Sequence, residues 1–126
     1  MAAYADGLSV KVELTEFTAQ EIRSIGLIAD QRIVQASPVD TGLFKNNWLM
    51  SIGSPSTEIV KDEDFSGSKA IEQARAVVMS YPLDALPDLW LVNNLPYAAR
   101  LNDGWSAQAP KKFVEIEIAQ AVANGR

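Results

Sequence analysis

Histidine and cysteine are both absent from these 126 residues, and the two absences remove most of the common catalytic apparatus. Without histidine there is no imidazole base, no Ser-His-Asp or Cys-His relay and no imidazole metal ligand. Without cysteine there is no disulfide, no thiolate nucleophile and no thiolate zinc site. Carboxylates, lysines and tyrosines are what is left for bond-making chemistry. Basic residues are also in short supply, 11 Lys and Arg against 16 Asp and Glu, for a formal charge of −5. Duplex binding is driven mainly by cations displacing counterions from phosphate, and the largest basic grouping is the pair Lys111-Lys112. A grip on nucleic acid or on an anionic membrane is therefore not expected. No apolar run approaches the roughly 20 residues that span a bilayer. The opening MAAYADG has no basic segment leading into an apolar one, so no secretory leader is expected.

What is present is a globular composition, 48% hydrophobic and 21% charged, with enough apolar surface for one core in one domain over 1–126. Leu8, Val10, Val12 and Leu14 alternate with Ser9, Lys11 and Glu13, the pattern of a half-buried strand at a sheet edge. Thr18 and Glu21 have capping-box spacing, and Phe17 and Ile22 occupy the staple positions around them. Ile22, Ile25, Ala29, Ile33 and Ala36 then recur on one helical face until Pro38 forbids continuation. This predicts a helix over 18–36, roughly 28 Å long. Gly26 inside it implies close approach by another element.

The segment 37–42, SPVDTG, reads as a rigid corner. Pro38 fixes one φ, Asp40 can accept backbone hydrogen bonds two residues on, and Gly42 permits positive φ. Trp48, Met50 and Ile52 alternate in a second strand over 46–53. Residues 54–67 show no period and form a long loop; its acidic run Asp62-Glu63-Asp64 lacks calcium-loop spacing and reads as a solvated charge run. Ser68 is positioned to cap a second helix over 69–81, with Ile71, Ala74, Val78 and Tyr81 on one face and Pro82 as the stop. The run Leu89-Trp90-Leu91-Val92 is apolar on both sides, as in an interior strand. Residues 97–101 read as its continuation beyond Pro96. The last segment, 111–123, carries both periods. Val114, Ile116 and Ile118 alternate, yet Val114, Ile118 and Val122 share a helical face between Pro110 and Gly125, and the helix is preferred. The expected fold is α+β: a small antiparallel or mixed sheet of three to four strands packed against a long N-terminal helix and a shorter second helix, with a C-terminal helix.

A catalytic constellation is not found. Spacing alone brings no two of the 16 acidic residues together, and the 7 glycines form no phosphate-cradling motif. Tyr97 with Arg100 reads as packing plus a surface charge. No catalytic residue, metal ligand or cofactor is assigned. The distinctive chemistry lies in three polar turns that carry two aromatics: Asn93-Asn94-Leu95-Pro96-Tyr97, Asn102-Asp103-Gly104-Trp105 and Gln108-Ala109-Pro110. Rigid aromatic loops of this kind are common protein–protein anchors, although Trp48, Trp90 and Tyr97 also suit a core, which would leave Trp105 semi-exposed.

Two of these segments resemble a known family. SPVDTGLFKNNW (37–48) resembles the PVDTG-x-x-(x)-N/S-W/I segment of the tailed-bacteriophage head–tail joining proteins, variously called neck, tail completion or minor tail protein Z-like. NNLPYAARLNDGWSAQAP (93–110) is similar to that family's NN-x-PYA-x-x-LE-x-G-x-S-x-QAP segment, in the family's order and about fifty residues on. Asn102-Asp103 stands at the family's Leu-Glu acidic position, and Trp105 and Lys112 replace small residues. The resemblance implies a non-enzymatic virion protein, assembled in the host cytoplasm. It would form a ring, six-fold, that joins the head connector or stopper to the tail tube or tail terminator. DNA would pass through the lumen without sequence-specific binding, and no membrane is involved. The same implication covers a terminator ring capping the tube. Within it, Pro38, Asp40, Thr41 and Gly42 form a structural corner, and Tyr97, Arg100, Asp103, Gly104, Trp105, Gln108 and Pro110 are the candidates for subunit or partner contact. The competing readings are a carboxylate-dependent hydrolase, which needs acids converging in a cleft, and a stand-alone binding module, which needs an apolar patch on a stable monomer.

Overall fold

The computed structural model describes residues 2–4, 7–12, 17–39, 42–104 and 108–125. In chain order they form β1 (Ala2–Tyr4), β2 (Gly7–Val12), α1 (Ala19–Ala36), α2 (Leu43–Asn46), β3 (Leu49–Ile52), α3 (Ser68–Ser80), β4 (Leu89–Asn93), α4 (Ala98–Asn102) and α5 (Phe113–Gly125). The class is α+β, and every described strand pairing is antiparallel. The order in the sheet is β1-β2-β4-β3, with Val10 opposite Leu91 and Met50 opposite the same Leu91 from the other side. β4 is interior, as its two-sided apolar run required. β2 is interior too, flanked by β1 and β4, so the edge position expected for it is corrected.

α1 forms where its local chemistry dictates. The Thr18 hydroxyl accepts from the Glu21 N–H at 3.1 Å, and the Glu21 carboxylate accepts from the Thr18 N–H at 3.0 Å. Two otherwise orphaned donors are satisfied reciprocally. Ile22, Ile25, Ala29 and Ile33 are buried on the predicted face, together with Val34. Burying each of the larger side chains contributes about 1.5–3 kcal/mol. Gly26 is the close approach anticipated for it: a Cβ there would lie 2.6 Å from Leu89 Cδ2 of β4. At the far end the Ser37 hydroxyl donates to the Ile33 carbonyl at 2.7 Å and accepts from the Trp48 indole N–H at 2.8 Å. Trp48 is thereby fixed in the core beside Phe44, the two rings meeting edge to face at 5.7 Å.

α3 lies along the edge strand β3. Its Gln73 amide accepts from the Met50 N–H at 3.0 Å and donates to the Met50 carbonyl at 2.9 Å. A side chain thus replaces a neighbouring strand and shields that edge from pairing with other chains.

Four further expectations are corrected. Residues 97–101 do not continue the sheet but enter α4, because Leu95 accepts from the Ala98 N–H and Tyr97 from the Leu101 N–H. Ser68 is the first residue of α3 rather than its cap; that position belongs to Gly67 at φ +77°. Part of the 46–53 strand belongs instead to the single helical turn α2. The C-terminal segment is helical as preferred, but it starts at Phe113, three residues beyond Pro110. Gly125 is its last residue, kept small because a Cβ there would meet Ile25 Cγ1 of α1.

Candidate functional site

The two segments singled out in the sequence meet in space. Gln108 donates from Nε2 to the Val39 carbonyl and accepts at Oε1 from the Val39 N–H, each at 2.8 Å. This pairs the turn after α4 with the corner after α1 across 69 residues. Asn93, fully buried at the end of β4, donates to the Phe44 carbonyl of α2 at 2.9 Å and accepts from the Leu95 N–H. The Phe44 and Tyr97 rings lie 6.2 Å apart, tilted by 39°. Gly42 takes φ +87° to start α2, and its carbonyl accepts from both the Asn46 and the Asp64 N–H.

The other predicted residues are placed unevenly. Pro38 is buried and Tyr97 is 38% exposed over Phe44. Arg100, Asp103, Gly104, Gln108 and Pro110 are exposed around the same turn. Gly104 adopts φ +93°, and the Asp103 carboxylate lies 3.7 Å from the Lys112 ammonium. Asp40, Thr41 and Trp105 lie outside the described residues. Of the other two tryptophans, Trp48 is core and Trp90 half-buried, its indole donating to the Gly53 carbonyl.

Asparagines do most of the joining here. Asn47 is fully buried, donates to the Leu43 and Val60 carbonyls and accepts from the Val60 N–H. Asn46 donates to the Asp62 carbonyl, and Asn94 donates to the Ser56 and Glu58 carbonyls. The long segment 54–67 is therefore strapped down by amides from both singled-out segments. Asn102 anchors the start of α5, accepting from the Val114 N–H at 3.0 Å and donating to Glu115. That work belongs to Asn102 and not to its acidic neighbour Asp103. The repeated Asn-Asn pairs were the available signal, because a short amide that both donates and accepts suits backbone clamping.

No family model, curated protein or solved structure matches this chain. The site is accordingly read from its own chemistry. Among the described residues, no three acidic side chains are placed to hold a metal ion, and no helix is long and apolar enough to cross a membrane. The acidic run is not simply solvated. Asp64 accepts from the Lys69 N–H at 2.9 Å and from the Ser66 N–H and hydroxyl, capping α3 from five residues upstream. Those bonds, the Lys69 N–H first, lower its carboxyl to about 2.

Proposed function

We propose that this chain is a non-enzymatic structural subunit of a tailed-phage neck, one of six copies in a ring that joins the head connector to the tail around the DNA channel. The observation that carries this reading is the mutual clamping of the two family-like segments. Gln108 holds Val39, and Asn93 holds the Phe44 carbonyl. Segments fifty residues apart that both resemble one family's pattern and also pack against each other are what a common assembly site requires. In this reading the sheet, of three to four strands packed on the long first helix and the shorter second, is a scaffold. Its task is to present the exposed turn around Tyr97, Arg100, Asp103 and Gln108 to neighbouring subunits and rings. The acidic chain supports passage of DNA, since a lumen built from copies carrying −5 each repels phosphate.

The test is complementation. Particles made without the protein should accumulate as separate heads and tails, and added wild-type protein should restore joining. Tyr97→Ala should fold and fail to restore it. Joined, infectious particles lacking the polypeptide would refute the assignment.

A further inference from the structure

α1 carries a buried acid that nothing among the described residues satisfies. Asp30 is fully buried, and neither carboxyl oxygen has a hydrogen-bond partner among the described residues. Buried polar groups are nearly always bonded, and a buried charge is costly unless paired. Its place in the fold is well defined. Residues 26, 30 and 34 lie one above another on α1. Gly26 touches Leu89 of β4, and Val34 Cγ1 packs where Gly67, at the start of α3, has no side chain. Asp30 therefore sits in the seam where α1 closes on the sheet and on α3.

Among the described residues, no charged group of the elements packed against α1 forms a hydrogen bond or ion pair with Asp30, and Lys45 of α2 is the nearest unpaired cation along the seam's contacts. On α1 itself, Arg23 donates to the Val78 and Met79 carbonyls of α3, and Glu21 is committed to the cap. Arg32 pairs with Glu117 of α5 at 2.9 Å, while Glu115 of α5 accepts from Asn102. On α3, Lys69, Glu72 and Arg75 are exposed. On α2, the stem of Lys45 lies beside Gly67. β3 and β4 carry no charged residue. Burial alone holds the Asp30 carboxyl well above the usual carboxylate range.

We propose that Asp30 is a proton-operated latch on α1: as a carboxylic acid it allows the helix to close onto the sheet and α3, and as a carboxylate it loosens that seam. The idea does not depend on the neck assignment. The sign follows from linkage. The folded chain binds this proton more tightly than the unfolded chain, so the contribution is fully present below the unfolded value near pH 4. It is lost as pH rises through the folded value.

The experiment combines a carboxyl-carbon NMR titration of the wild type with urea midpoints and amide protection for the wild type and Asp30→Asn between about pH 5 and pH 8.5. The Asp30 carbon should titrate above the exposed carboxylates. The wild-type midpoint should fall over that range relative to Asp30→Asn, with protection lost across α1 and α3 first. Titration of Asp30 near pH 4, or an unchanged pH profile in Asp30→Asn, overturns the latch. An ordinary value in the wild type that rises in Lys45→Met would assign Asp30 a counter-ion and overturn it equally. If Asp30→Asn fails to fold, the wild-type titration decides alone.

Discussion

Gly42 shows how a single residue can be fixed by two independent constraints. Its φ is +87°, and a Cβ would lie 2.6 Å from both the Asp64 carbonyl carbon and the Phe65 nitrogen. These are backbone atoms that cannot rotate away. Gly53 has a similar φ of +92° with open space around it. The pair separates strain from collision. Gly53→Ala should cost about 1 kcal/mol, the left-handed penalty alone. Gly42→Val should cost about 3 kcal/mol or more, because backbone strain and overpacking add. Urea denaturation of both variants checks this; equal costs would mean the 64–65 backbone yields. The sequence marked Gly42 as a turn glycine, but only the fold reveals what it faces. Gly26 was read more fully, since a glycine inside a strong helical stripe has few reasons to be there besides close packing.

At the level of elements, legibility tracked the range of the interaction. The α1 cap lies within three residues and was read outright, and the buried stripe of α1 followed from its period. α3 was placed nearly as well, but its cap was not, because Asp64 reaches Lys69 from outside any box spacing. A strand over 97–101 fits the sequence because Tyr97 and Leu101 satisfy both periods, but a hydrogen bond from the Ala98 N–H to the Leu95 carbonyl decides for helix. Asp64 makes a sharp prediction of its own. Its carboxyl is lowered to about 2, so its contribution to α3 is present above the ordinary value near pH 4 and is lost as pH falls toward 2. The stability difference between wild type and Asp64→Asn should therefore be constant from neutral pH to about pH 4.5 and shrink below it. A difference that stays constant down to pH 2 would mean that Asp64 is an ordinary solvated carboxylate. Asp30 runs the opposite way over the range above pH 4, so the two acids can be told apart in one pair of titrations.

Over the whole molecule, the unread part of the sequence is its amide network. Segment 54–67 has no helix or strand and reads as loose, yet Asn46, Asn47 and Asn94 hold its backbone at Ser56, Glu58, Val60 and Asp62. No local pattern announces such bonds, since each joins positions 13 to 38 residues apart. The strap ties α2, the start of α3 and the β4–α4 turn into one body, while its Phe65 stays 61% exposed. Val60→Pro removes the N–H that Asn47 Oδ1 accepts and keeps the segment's length, so the closure entropy is nearly unchanged. If the segment merely passed by, that change would cost under about 1 kcal/mol. The bond predicts more: leaving the buried Asn47 side-chain oxygen without the Val60 N–H costs about 1–3 kcal/mol. Asn47→Ala should cost at least as much on its own. In the Val60→Pro chain it should cost less, giving a coupling of about 1–2 kcal/mol in a double-mutant cycle followed by urea denaturation. Additive costs would show that Asn47 works through Leu43 alone and that the strap merely passes by.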